Sequence, residues 1–227
     1  MIGEDVTKIA AFFDLQYGRH VRYWWAGDNR YSLDPSDHTW FNAEVLRAVS
    51  KRPRGRALDI GAGEGADAIR LAKLGYEVDV IEVSPVACRK IERFANRENV
   101  HLDIRNESID QAVLFRRYDV VLMNGVLHYV ADKDAVLKKI RAASALRATH
   151  IVSLFSNAST MPREHLVIPV YPDREGGVTE QFYRRSYASL DLRYERSRPE
   201  KSHPGFSAHT HSHIKFIAHL ADSAEPK

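Results

Sequence analysis

The sequence has little of what marks a secreted, membrane-spanning or polyanion-binding chain. Cys88 is the single cysteine, which excludes an internal disulfide and suits a reducing, cytoplasmic compartment. No apolar run approaches the ~20 residues of a membrane span. The opening MIGEDVTKIAAFFDLQ lacks the basic-then-apolar order of a signal peptide. There is no internal repeat and no low-complexity segment. The net charge of +3 is small and scattered, whereas a nucleic-acid binder more often carries a basic block or stripe. These absences predict a soluble monomer or homodimer with neither nucleic acid nor membrane as partner. A length of 227 residues suits one α/β domain, with or without a cap.

What is present is organised around Arg56 to Glu82, RALDIGAGEGADAIRLAKLGYEVDVIE. A short apolar run ends in Gly61, Gly63 and Gly65, a helical pattern follows to Leu74, and a second apolar run stops at Glu82. Strand, glycine turn, helix and acid-tipped strand make a unit that binds nucleoside cofactors at the top of a parallel sheet. Glycines let the backbone turn sharply and approach a ligand that a Cβ would block. A carboxylate at Glu82 can accept both hydroxyls of a ribose.

Residues 1–37 read as an N-terminal lid or arm, dense in Phe12, Phe13, Tyr17, Tyr23, Trp24, Trp25 and Tyr31. The choice is between aromatics lining a pocket over the glycine turn and aromatics anchoring an arm. Residues 38–227 read as the main domain. Asp37 is expected to cap a helix carrying Phe41, Val45, Leu46 and Val49. Ser84-Pro85 starts the helix after Glu82 and runs it to about Arg97. Val100–Ile104 is a third strand, Phe115–Asn124 holds a buried fourth, Asp132 caps another helix, and residues 149–156 form a fifth strand. Strands alternating with helices imply a parallel sheet. Residues 157–188 are too rich in Pro and Gly for a simple crossover helix and read as a substrate-side insertion. LDLRYERS and IKFIAHL then close the chain as an antiparallel hairpin.

Gly61, Gly63 and Ala66 satisfy the spacing of a dinucleotide site, so a nicotinamide-dependent oxidoreductase stays open at this point. Asp59 before the first glycine and Asp103 on the third strand argue instead for a ligand with cationic groups, a ribose and an adenine, but no phosphate. In this order LDIGAGEG, IEVSP, LDIR and YDVVLMNGVLHYV resemble the class I S-adenosylmethionine-dependent methyltransferases, most nearly small-molecule enzymes of the tellurite-resistance type. The resemblance implies a Rossmann-like α/β fold: a seven-stranded, mostly parallel sheet in order 3-2-1-4-5-7-6, strand seven antiparallel, helices on both faces. SALRATH lacks the Pro-Gly-Gly turn common before the fifth strand of that family.

The resemblance also implies a cofactor, S-adenosyl-L-methionine, and a site. Asp59 would orient the methionine end, while Gly61, Ala62, Gly63 and Gly65 form the loop. Glu82 would take the ribose and Val83 the adenine face. Asp103 and Ile104 would meet the adenine amino edge, and Asn124 and Gly125 would flank the transferring methyl. A chain that binds this ligand without transferring its methyl is the third reading.

Methyl transfer is an in-line displacement that mainly needs positioning and exclusion of water. His128, just past the fourth strand, is the candidate base and a substrate contact. Tyr17, Tyr23, Tyr31, Tyr171 and His209 are the other candidate substrate contacts. His209, His211 and His213 alternate, with His203 nearby. Neighbouring alternate positions splay along ~6–7 Å steps, which argues against zinc, and no metal is expected. Asn124 lacks the Pro-Pro-aromatic continuation of exocyclic-amine DNA methyltransferases. The acceptor is therefore read as a small polar molecule, an amine ahead of a hydroxyl or carboxylate.

Overall fold

The computed structural model describes residues 2–24, 28–51, 54–160, 167–196 and 209–220. The chain starts with helix α1 (Ile2–Arg19) and, after short 3-10 turns, helix α2 (Trp40–Ser50). Then come β1 (Arg56–Ile60), α3 (Ala66–Lys73), β2 (Glu77–Ile81), α4 (Pro85–Arg97), β3 (Asp103–Arg105) and β4 (Tyr118–Asn124). They are followed by α5 (Lys133–Ala142), β5 (Ser144–Phe155), α6 (Val178–Ser186), β6 (Tyr187–Arg196) and β7 (Ser212–Leu220). The seven strands form one sheet in the order β3-β2-β1-β4-β5-β7-β6. The first five run parallel, and β7 pairs antiparallel with β5 and β6. This is the Rossmann-like architecture expected from the sequence.

Successive strand side chains point to opposite faces, and here both faces are apolar. Leu58, Ile60, Val121 and Met123 pack with Val136, Leu137 and Ile140 of α5 and Tyr183 of α6. Ala57, Val80, Val120 and Leu122 face α2, α3 and α4 through Val45, Ile69, Ile91 and Phe94. A third cluster seats Ile9, Phe12, Phe13 and Tyr17 of α1 against Ala87 at the start of α4. Ser84 caps α4 by accepting from the Ala87 amide at 3.0 Å, and Asp132 caps α5 through the Ala135 amide at 3.0 Å. Both caps are as expected.

Several expectations fall differently. The residue at the cap of α2 is Thr39, while Asp37 accepts from Asn29 at 2.9 Å across the preceding turn. β4, by contrast, is the expected YDVVLMN run, Tyr118–Asn124, within the 115–124 stretch. β5 starts at Ser144 rather than at residue 149: the SALRATH stretch joins the strand as an irregularity, with Arg147 at φ 62° where glycine would be at ease. The region 157–188 holds helix α6, which packs Tyr183 against Phe216 at 4.7 Å between ring centroids. Its short apolar stripe lies between Gly176-Gly177 and a basic end, too little to show a helical period.

α6 also closes a buried polar network. His150 lies between the Ser144 hydroxyl at 2.8 Å and the Tyr183 hydroxyl at 2.9 Å. Burial, reinforced by the Arg141 charge, pushes its pKa down to about 3. A pKa depressed in the folded state means that this residue's contribution is intact above the unfolded value near 6.5 and is lost as pH falls toward 3. Denaturant unfolding of the wild type should therefore lose up to about 1.4 kcal/mol per pH unit below 6.5 through this residue. In His150→Asn that slope should be shallower; equal slopes in the two proteins would refute the assignment.

Candidate active site at the carboxyl edge of the sheet

In a parallel sheet every strand delivers its carboxyl end to one edge, and ligands bind there where the strand order reverses. β1 and β4 flank that reversal. A cavity of about 700 Å³ opens along this edge, from the β2 tip to the start of β7.

The loop after β1 is shaped by close approach. Gly61 has φ +66°, and a Cβ there would meet Val126 at 2.5 Å. Gly63 has φ +58°, and a Cβ there would lie 3.1 Å from the Tyr17 hydroxyl and 3.3 Å from the Trp24 indole nitrogen. The amide of Gly63 donates to one oxygen of Glu82 at 2.9 Å, and the Ser84 amide donates to the other at 2.9 Å. Glu82 is 4% exposed and lines the cavity. Burial pushes its pKa up to about 7 against the pull of those amides.

Glu64, between the last two glycines of the loop, ties the N-terminal segment to it. Its side chain has 0% exposure and accepts from Arg30 at 3.0 Å and Lys90 at 2.7 Å. It also accepts from the Tyr23 amide at 2.9 Å and the Trp24 amide at 3.2 Å. Lys90 further donates to the carbonyls of Tyr17 at 2.8 Å and His20 at 2.6 Å. Burial alone would raise the Glu64 pKa, but Lys90, Arg30 and the Tyr23 amide carry it below the usual carboxylate range. The aromatics behind this clamp close on one another, with the Trp24 indole donating to the Tyr17 hydroxyl at 2.9 Å.

Of the residues expected at the site, Gly61, Ala62, Gly63, Glu82, Val83, Asn124, Gly125, Tyr17, Tyr23, His128 and His209 line the cavity. Asp59 and Gly65 lie behind the loop. Asp59 is 3% exposed, one carboxyl oxygen is buried without a partner, and burial together with neighbouring Asp67 pushes its pKa well up. Asp103 and Ile104 do not reach the cavity: Asp103 pairs across the sheet with Asp79, two residues before the β3 end, and faces Arg116 at 3.6 Å. The acids at that edge are Glu107 and Asp110, beside Ser108, in the turn after the strand. Tyr31 is packed among α2, α3 and α4, 6.4 Å from the Phe94 ring, and its neighbour Arg30 takes the place at the cavity. Tyr171 turns its hydroxyl to Asp5 on α1 at 2.8 Å. His203 and Trp25 lie outside the described residues.

His128 is 2% exposed, and its Nδ1 accepts from the Phe155 amide at 3.2 Å. That amide can only donate, so a neutral imidazole carries its proton on Nε2. The ring is then a donor, which removes the base role read from the sequence. Sequence reasoning also passed over Glu64, Asp67, Arg70 and Glu107. Asp67 contacts Arg70 and accepts from Asn124 at 3.1 Å. The signal for Glu64 was a charge set among three glycines beside an Arg-rich aromatic segment.

A family model described as a methyltransferase domain matches residues 58–148. Ubiquinone biosynthesis O-methyltransferase of Rhodopseudomonas palustris (strain TIE-1) is 30% identical over 159 residues, 65% of this chain and 60% of that protein. The tRNA 5-carboxymethoxyuridine methyltransferase of Escherichia coli (strain K12) is 29% identical over 133 residues, 56% of this chain and 50% of that protein. The chain thus spans about three fifths of the length of the first of these relatives. TehB from Haemophilus influenzae superposes with a TM-score of 0.66 at 14% identity, over 81% of this chain and 64% of that one. Magnesium protoporphyrin IX methyltransferase from Synechocystis PCC 6803, with bound SAH, gives 0.64 at 15% identity, over 94% and 99%. At these identities the two structures share the fold.

Removing the clamp should loosen the N-terminal segment. Glu64→Gln leaves Arg30 and Lys90 buried without their counter-charge and should cost about 3–5 kcal/mol of unfolding free energy, with faster proteolytic cleavage between residues 17 and 30. A loss under about 1 kcal/mol with unchanged cleavage would show that the clamp does not hold the segment.

Proposed function

We propose that this chain, which carries a methyltransferase domain of the S-adenosylmethionine-dependent class, transfers the methyl group of S-adenosyl-L-methionine to a small molecule. The observation that carries the reading is Glu82, a buried carboxylate held at the β2 tip by two loop amides and open to the cavity. A ribose diol offers two hydroxyl donors to such a carboxylate. Val83 lines the cavity and would take the adenine face, and Glu107 with Ser108, in place of Asp103, would take the adenine amino edge. When bound, the cofactor supplies an electrophilic methyl on a sulfonium.

The chain's residues do the rest by placement. Gly61 and Gly63 admit the ligand to the backbone, and Asn124 and Gly125 flank the middle of the cavity. Tyr17, Tyr23 and Trp24, locked down through Glu64, exclude water from the reacting centre. We read residues 1–37 as the lid and residues 38–227 as the catalytic domain. No helix among the described residues is long and apolar enough to cross a membrane, and the lone Cys88 fits a cytoplasmic setting. The lid over the cavity supports a small acceptor over the RNA implied by the name of the tRNA-directed relative.

A nicotinamide dinucleotide is the competing ligand, and calorimetry separates the two. S-adenosylhomocysteine should bind and NADH should not, while Glu82→Ala should weaken S-adenosylhomocysteine at least tenfold. A protein that prefers NADH would overturn the proposal. Turnover of S-adenosylmethionine with any small acceptor separates an enzyme from a binding module.

The raised Glu82 pKa adds a pH test. Its folded-state value near 7 lies above the ordinary 4.5, so its contribution to stability is complete below 4.5 and lost as pH rises through 7. The ribose relieves that strain, because the ionised form is the better acceptor. Affinity for S-adenosylhomocysteine should fall by up to roughly tenfold per pH unit below 7. A constant affinity from pH 8 to pH 5.5 would contradict this role.

A further inference from the structure

The carboxylates of the cavity are confined to one part of the sheet edge. Among the described lining residues, the acids Glu64, Glu82, Glu107 and Asp110 come from the turns after β1, β2 and β3 and Asp67 from the first turn of α3. Arg30 and Arg70 line the same part and pair with Glu64 and Asp67, which leaves Glu82, Glu107 and Asp110 as its acids outside those pairs. The β5–β7 half is lined by Ser153, Phe155, His209, His211, His213 and Lys215, with no carboxylate. Four strand spacings of ~4.8 Å put the β2 tip ~19 Å from β7, and the two halves meet at β4 between them. A cationic sulfonium ligand suits the acidic half. The other half is built for something else.

That half is a wall of donors. In the β5–β7 register Ser153 faces Lys215 and Phe155 faces His213, which puts all four on one face of the sheet. The Phe155 ring lies 5.2 Å from the His211 ring and 5.1 Å from the His213 ring. His209 is 4% exposed, and its Nε2 lies 2.5 Å from Nε2 of His211. Two imidazole nitrogens that close cannot both be bare: one ring donates Nε2–H and the other accepts, which leaves each ring its Nδ1 edge for other partners. Among the described residues no group of three His, Cys, Asp or Glu side chains is disposed to hold a metal ion. The Lys215 ammonium sits over the Phe41 ring at 5.4 Å, at the first turn of α2, whose Thr39 and Asn42 also line the cavity. His128, at the boundary between the halves, is fixed as a donor by the Phe155 amide.

We infer that the acceptor is a small molecule bearing an oxyanion, held against His209, His211 and Lys215, and that it is methylated on oxygen. This rests on the methyl-donor reading above and reverses the preference for an amine drawn from the sequence. An ammonium would face the Lys215 ammonium with no carboxylate among the described lining residues of that half, and would find no base at His128 to take its proton. An ionised acceptor oxygen needs none. It forms its bond to the methyl carbon with its own electron pair as the carbon–sulfur bond breaks, the displaced pair neutralises the sulfonium, and the products are a methyl ester or ether and S-adenosylhomocysteine.

The test uses the full chain. S-adenosylhomocysteine affinity is recorded first by calorimetry. Benzoate, 4-hydroxybenzoate and phenylphosphonate are then titrated into the saturated complex beside benzylamine and phenethylamine. Methyl ester or ether formation from S-adenosylmethionine is followed in parallel. At least one oxyanion should bind tenfold or more tightly than the amines. His211→Gln and Lys215→Met should each weaken it about tenfold while leaving S-adenosylhomocysteine affinity within about twofold. Amines binding as well as the oxyanions, no oxyanion binding, or both variants unchanged would each overturn the inference. Failure to bind S-adenosylhomocysteine refutes the methyl-donor reading and this inference with it. Binding of S-adenosylhomocysteine without oxyanion selectivity refutes this inference alone.

Discussion

A carboxylate with no exposed surface has to be met by charge and hydrogen bonds, and Glu64 is such a group. Its partners come from three parts of the chain: Arg30 and the Tyr23 and Trp24 amides from the N-terminal segment, Lys90 from α4, and the glycine loop that carries Glu64 itself. Satisfying one buried charge therefore ties the loop to α4 and brings the aromatics down beside Gly63, while the apolar cluster and Asp14 hold α1 over the start of α4. The roof of the cavity and its floor are held by the same contact. On the proposed function, exclusion of water and positioning of the methyl donor would both change with this residue.

The second constraint is the sheet. Parallel strands bring the turns after β1 to β4 to one edge, and the antiparallel return of β7 adds a different set of residues at the far end of that edge. Acids fall at β1 to β3 and imidazoles with an ammonium at β7. With Arg30 and Arg70 paired to Glu64 and Asp67, the Glu82, Glu107 and Asp110 carboxylates at one end and Lys215 at the other would favour a positive ligand and a negative one respectively. His128 stands between them with its tautomer set by a backbone amide, so the proposed displacement would rely on alignment and field more than on proton transfer.

Much of this could be read from the sequence, for identifiable reasons. The apolar strands, the glycine spacing, Glu82 and the Ser84-Pro85 start of α4 follow from local chemistry, and local chemistry predicted them. Asp103 failed because the acid that reaches an edge depends on where the strand stops; β3 is three residues long and half polar, so its register was not visible. Helix α6 was hidden by the Pro and Gly around it. Tyr31 and Tyr171 were placed by type, whereas packing against Phe94 and a hydrogen bond to Asp5 decided their directions. The tautomer of His128 depends on an amide 27 residues away, which no spacing rule supplies.

The central claim is that the acid-lined half of the cavity holds the methyl donor and the histidine-lined half the acceptor. A crystal structure of the complex with S-adenosylhomocysteine tests it most directly. The account predicts both ribose hydroxyls on Glu82, the adenine beside Val83 and Glu107, and the sulfur directed past Asn124 toward His128. An adenosine lodged among His209, His211 and Lys215, or a ribose that leaves Glu82 untouched, would contradict it.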